Sequence, residues 1–195
     1  MTRSSTLFLA VPVGAAERRA LAPWIAELVG LGPGVRPVQL GGLHLSLRYL
    51  GQVNPEEQGA VAEIAAEVAR TSRRFAISLG SPELSPSGKS PRVIWCPVGE
   101  GQEKLAELAE SLAVALVGQG WQLTMRPFRG HCTLARLSAR LAPGATANLE
   151  QLCARWAGDA PLGLPVESLS LMESVPVVGQ PNSYPIRRRW RLGPD

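Results

Sequence analysis

Apolar residues recur along the chain in two rhythms. Over residues 15–29, 55–69, 102–117 and 147–156 they return every three or four positions, the spacing of a helix with one buried face. Leu21, Trp24, Ile25 and Leu28 form that stripe in the first segment. Val61, Ile64, Ala65 and Val68 form it in the second, and Leu105, Leu108, Leu112 and Leu116 in the third. Pro23 is a local defect in the first helix. Asn54 suits the cap of the second, Pro55 its first position, and Glu56 and Glu57 the positive end of its dipole. Gly118 or Gly120 ends the third.

Between these segments lie short runs with the period-two alternation of strands: 7–11, 37–40, 43–50, 75–79, 92–98, 121–125, 131–137, 166–172 and 185–192. Residues 81–90, rich in Ser and Pro, read as an exposed loop. Gly41-Gly42 is a tight link between two strand-like runs, which implies antiparallel neighbours. The expected class is α+β, with helices backing one face of the sheet, rather than a doubly wound parallel sheet. A weak internal repeat runs helix, strand, then His44-Leu45-Ser46 in the first half and His131-Cys132-Thr133 in the second. Two pseudo-symmetric lobes, each an antiparallel sheet backed by helices, are expected to face a central cleft within one bilobal domain, 1–195.

Composition narrows the class. Hydrophobic residues make up 45% of the 195 positions, enough for a packed core. No apolar run approaches the roughly 20 residues that span a bilayer, so no membrane partner is expected. Residues 1–6 are polar and lead straight into a strand, unlike a signal peptide, so the expected location is the cytoplasm. Cys96, Cys132 and Cys153 have no CxxC spacing and are read as small buried apolar residues. The net charge of +4 is carried almost wholly by arginine, Lys89 and Lys104 being the only lysines. That balance fits a phosphate-bearing partner as readily as a solvated surface, so charge alone decides little.

The only two histidines carry the chemistry. On a strand, residues two apart project to the same side, about 6–7 Å from each other. His44 and Ser46 therefore share one face, with Leu43, Leu45, Leu47 and Tyr49 on the other. His131 and Thr133 share a face, opposite Cys132 and Leu134. If the two equipped faces line one cleft, two imidazoles flank a phosphate and two hydroxyls hold its oxygens. One neutral histidine takes a proton from water, and the other, protonated, gives one to the leaving oxygen. Arg126 and Arg129 stand just before His131 as candidates to stabilise the transition state, with Arg48 and Arg136 behind them. Arg187, Arg188 and Arg189 read as a solvated or RNA-facing strand edge. Tyr184 follows a loop over 179–183, where it is placed to stack on a base. Two histidines and no clustered carboxylates are too few ligands for a metal, and no GxxxxGK[ST] or GxGxxG loop is present, so no cofactor is expected.

These residues resemble the two-histidine phosphoesterase superfamily, and within it the RNA 2',3'-cyclic phosphodiesterases, also called 2'-5' RNA ligases. The hallmark is a pair of H-x-[T/S]-x motifs, standing here as His44-Leu45-Ser46-Leu47 and His131-Cys132-Thr133-Leu134. The flanks Arg48-Tyr49-Leu50-Gly51 and Arg126-Pro127-Phe128-Arg129-Gly130 match too, and Leu171-Met172-Glu173-Ser174 with Tyr184 resembles the C-terminal strand and loop. The resemblance implies a bilobal fold and hydrolysis of a terminal 2',3'-cyclic phosphate on RNA to a 2'-phosphate. It also implies joining of RNA ends through a 2'-5' linkage, without ATP or metal. By analogy His131 is the proton acceptor and His44 the proton donor, with Ser46 and Thr133 holding the phosphate. Two departures stand out: Ser46 for the commoner threonine, and Gly130 for a proline, which leaves the approach to His131 more flexible. An RNA-end-binding module without turnover and a phosphodiesterase for small cyclic nucleotides are the alternative readings. A monomer is expected, because both motifs lie on one chain.

Overall fold

A computed structural model describes residues 4–32, 34–88, 90–123, 127–138, 141, 143–157, 161–178 and 180–194. In chain order the elements are β1 (Ser5–Pro12), α1 (Ala15–Val29), β2 (Val35–Pro37), β3 (His44–Val53), α2 (Pro55–Thr71), β4 (Phe75–Leu79) and β5 (Glu83–Ser85). Then follow β6 (Val93–Pro97), α3 (Gln102–Gly118), β7 (His131–Leu137), α4 (Ala145–Trp156), β8 (Leu162–Val166), β9 (Ser168–Glu173) and β10 (Ile186–Arg191).

All four helices form where the apolar spacing puts them. Leu21, Ile25 and Leu28 are the buried stripe of α1, and the helix runs through Pro23 because that residue and Arg19 are exposed, so the carbonyl that loses its donor meets water. At the start of α2 the Asn54 N–H donates to Glu57 Oε2 at 2.8 Å, and Pro55 occupies the first turn. Leu105, Leu108, Leu112 and Leu116 are all buried on α3. That helix begins at Gly101, whose φ of +75° and closeness to Ala76 leave no room for a side chain: a Cβ would lie 2.5 Å from the Ala76 carbonyl oxygen.

Seven strands follow one another in the order β10-β9-β1-β3-β7-β6-β5, with β2 added beside β7, and every pair is antiparallel. This is the expected α+β architecture. The sheet has two halves joined at its middle, where β3 and β7 pair through a single position, Leu45 opposite Cys132. The helices α2 and α3 back the β10-β9-β1-β3 half, and α1 and α4 back the other. Strands β4 and β8 form a separate ribbon, Phe75 opposite Val166 through Leu79 opposite Leu162. Cys96 and Cys132 are opposed across β6 and β7, free and buried, as is Cys153. Burial pushes the Cys132 thiol up to about 12 and the Cys153 thiol to about 11.

Four local expectations change. Gly41-Gly42 lies in a 3₁₀ turn and joins no hairpin, since β2 pairs with β7 and leaves β3 to β1. The Ser-Pro loop contains β5, and residues before Val166 form β8. Of the strand expected over 121–125, residues 121–123 are not in a strand and 124–125 lie outside the described residues.

Gly130 is a fixed point rather than a flexible one. Its N–H donates to Gln102 Oε1 at 3.0 Å and its carbonyl accepts from Val98 N–H at 2.9 Å. A Cβ there would lie 2.6 Å from Gln102 Oε1 and 2.7 Å from Leu105 Cδ2. Gly130→Ala is expected to lower stability by about 1–3 kcal/mol through overpacking, read as a shifted urea midpoint. Gly130→Pro is expected to cost more, because it also removes the donor to Gln102. An unchanged midpoint in both variants would mean that Gln102 and Leu105 give way freely.

Candidate active site at the junction of the two half-sheets

The pairing of Leu45 with Cys132 sets the geometry of the site. Both residues are fully buried and point to the helices. In an antiparallel pair their neighbours therefore point to the other face, with His44 across from Thr133 and Ser46 across from His131. The two motifs form a four-cornered set on one surface: histidine beside hydroxyl along each strand, and histidine beside hydroxyl across them.

Each strand then breaks its alternation at the same place. On β3 the partners step from Ser46, opposite Ala10, to Arg48, opposite Leu9, so Leu47 is the extra residue of a bulge. On β7 they step from Thr133, opposite Trp95, to Ala135, opposite Ile94, so Leu134 is extra. A bulge shifts the phase of everything beyond it. Strict alternation would put Arg48 in the cleft and Tyr49 among the leucines. Instead Arg48 turns to the helices, its guanidinium 3.0 Å from Glu110 of α3 and 14% exposed. Tyr49, opposite Phe8, stands on the site face at 65% exposure. On β7 the same shift brings Arg136 onto the site face, opposite Arg36 of β2. Arg136 lies near enough that its charge acts on both histidines.

Each imidazole is held from behind. His44 Nδ1 is 2.6 Å from the Gly42 carbonyl oxygen, and His131 Nδ1 is 2.8 Å from that of Arg129. A carbonyl only accepts, so both Nδ1 atoms carry hydrogen and both Nε2 atoms are the sites that gain or lose a proton. Aromatic rings fix the planes. Phe8 and Tyr184 lie 4.8 and 4.9 Å from the His44 ring, and Trp95 lies 4.3 Å from His131, with its Nε1–H donating to Glu83 at 2.9 Å. Burial pushes the His44 pKa down to about 4, against the support of the Gly42 carbonyl; the charges of Arg136 and His131 push the same way. His131 is lowered too, chiefly by burial and then by Arg136, with the Arg129 carbonyl opposing. Both rings are therefore neutral at pH 7 in the free protein, and an anion between them raises both.

The other sequence candidates divide. Ser46 is exposed and Thr133 half-buried on the site face. Arg129 contributes its carbonyl to His131, and its exposed side chain makes no ion pair among the described residues. Arg126 lies outside the described residues. Tyr184 is only 9% exposed, edge-on to His44 and Phe8, which leaves little of its ring to stack on a base. Its ring packs edge-on against His44. On β10, Arg187 pairs with Glu173, while Arg188 and Arg189 are exposed on the strand at the sheet's edge. Phe8, Trp95, Glu83 and Arg36 join the site or its support, and nothing in their own segments marks them. Among the described residues, no three His, Cys, Asp or Glu side chains group as a metal ion needs, and no helix is long and apolar enough to cross a membrane.

The fold has counterparts. An Archaeoglobus fulgidus protein named RNA 2',3'-cyclic phosphodiesterase is 34% identical over 134 residues, 69% of this chain and 73% of that one. The crystal structure of TT0787 of Thermus thermophilus superposes with a TM-score of 0.74 at 26% identity, over 97% of this chain and 99% of that one. Escherichia coli LigT in its apo form gives 0.70 at 26% identity, over 98% and 99%. Residues 18–176 match the model of the 2'-5' RNA ligase superfamily, and with the identity to the Archaeoglobus fulgidus relative this means that the chain belongs to that superfamily.

Proposed function

We propose that the protein is an RNA 2',3'-cyclic phosphodiesterase that opens a terminal cyclic phosphate to a 2'-phosphate. The observation that carries the reading is the pair of imidazoles on one surface, each with Nδ1 tied to a carbonyl and Nε2 available, each beside a hydroxyl. The name of the Archaeoglobus fulgidus relative supports it.

In the proposed reaction His131 Nε2 takes a proton from water as the water oxygen attacks phosphorus. The bond from phosphorus to O3' breaks, and the proton on His44 Nε2 passes to O3'. Ser46 and Thr133 hold the non-bridging oxygens, and Arg136 offsets the charge of the five-coordinate transition state. Arg129, and Arg126 before it, are proposed to meet the RNA backbone. Replacing water by the 5'-hydroxyl of a second RNA yields a 2'-5' linkage at the same site. The chain is proposed to act in the cytoplasm as a monomer, without a metal ion, since one polypeptide supplies both motifs.

Burial favours a second assignment of the two protons. His131 is the less buried ring, and His44 is held down to about 4, so burial alone leaves His131 the better holder of a proton.

Three measurements test the reading. Protein in EDTA is expected to convert a short RNA ending in a 2',3'-cyclic phosphate to the 2'-phosphate, and His44→Ala and His131→Ala are each expected to lose about 10²–10⁴-fold. A 3'-phosphate product, or full activity in either variant, rules the mechanism out. The pH dependence of kcat/KM reports the free protein, in which one ring must hold a proton and both pKa values lie below 6.5. Activity is therefore expected to fall above pH 6.5 by about tenfold per unit, and a flat profile to pH 8 would remove the protonated histidine. Finally, a substrate with sulfur in place of O3' needs no proton donor. It is expected to rescue His44→Ala and leave His131→Ala inactive; rescue of His131→Ala instead means that the roles are reversed.

A further inference from the structure

On the site face Arg36, unlike its neighbour Arg136, takes no part in the chemistry at the cyclic phosphate. Arg36 and Arg136 are directly opposed across β2 and β7, which puts their side chains on the same face with Cβ atoms about 4.5–5.5 Å apart. Like charges in that position repel, and neither side chain makes an ion pair with a carboxylate among the described residues. Both are exposed. Together they line a recess of about 260 Å³ whose other walls are Val38, Pro181, Asn182 and Tyr184. Tyr184 is also the ring against His44, so the recess opens beside the histidines. Along β7 the rows run His131 with Ser46, Thr133 with His44, then Arg136 with Arg36. The arginine row is one step further along the strand, about 6–7 Å from the second row, on the scale of one nucleotide. Arg136 acts on both histidines, whereas Arg36 is absent from the charges acting on either.

We infer that Arg36, with Arg136, forms a subsite for the phosphate on the 5' side of the terminal nucleotide, so that the protein selects an RNA chain over a cyclic mononucleotide. An anion between the two guanidiniums relieves their repulsion, and each presents a planar fork to its oxygens. Asn182 is oriented at the rim by its Nδ2, which donates to Ser174 Oγ at 3.0 Å. The two arginines turn the recess towards charge rather than towards a base.

The inference rests on the hydrolase reading above, and the experiment separates the two. kcat/KM is measured for adenosine 2',3'-cyclic phosphate, which has no 5' phosphate, and for the dinucleotide ApA ending in a 2',3'-cyclic phosphate, which has one on the 5' side of the terminal nucleotide. The ratio of dinucleotide to mononucleotide is expected to fall about tenfold in Arg36→Gln, the scale of one charge-assisted hydrogen bond. Arg36→Gln leaving the ratio unchanged, whether both rates hold or both fall together, overturns the subsite while the hydrolase reading stands. Wild-type protein that turns over neither substrate overturns both.

Discussion

Everything at the site depends on one cross-strand contact. Leu45 and Cys132 meet between β3 and β7 with both side chains fully buried against the helices. Burial of this pair forces His44, Ser46, His131 and Thr133 to the other face, because strand neighbours alternate. A slip of one residue in this register would turn one motif inward and leave the histidines without a common surface. The strands are 10 and 7 residues long yet share only this one position, so they diverge on either side. β2 occupies the edge of β7 that β3 leaves. The cleft is thus a consequence of how two half-sheets are joined: tightly enough to fix four side chains, loosely enough to leave space among them.

The matched bulges supply what alternation cannot. Without the extra Leu134, residue 136 would point to the helices and the site would have no cation on β7 close to both imidazoles. On β3 the same device works in reverse. It removes Arg48 to Glu110 and exposes Tyr49. The two halves therefore share a backbone plan and differ in charge, cationic on the β7 side and aromatic on the β3 side. The same asymmetry separates the histidines. His44 sits behind Phe8 and Tyr184 and loses basicity most, while His131 leans on the more open Trp95.

Much of this is legible in the residues. The helices follow from leucine and alanine spacing, since each has one buried stripe and little else to specify. The histidine and hydroxyl pairs are legible because period two is a local property of a strand. The bulges are not, because they depend on pairing with β1 and β6, which no local pattern reports. That is why Arg136 stands behind Arg126 and Arg129 in the sequence, and why Tyr49 groups there with the leucines. The Gly41-Gly42 link fails for a related reason. A glycine pair signals a turn, but whether the turn closes a hairpin depends on which edge is free, and β7 offers β2 the better one. The contact of Tyr184 with His44 is not legible either, because tertiary packing and not the local sequence places the ring there.

Gly130 shows how a departure from a family pattern is absorbed. Taken alone, glycine in place of proline reads as lost rigidity just before His131. In the fold the space above its Cα is filled by Gln102 and Leu105, and its N–H and carbonyl are both engaged. The restriction that a proline ring supplies covalently is supplied here by a hydrogen bond and by packing from α3. The same helix carries Glu110, which holds Arg48 out of the cleft. One helix therefore steadies the approach to His131 and clears the strand of His44, so the two motifs are coupled through α3 as well as through the sheet. The chemistry of the face depends on the helix behind it, even though no residue of that helix is on the face itself.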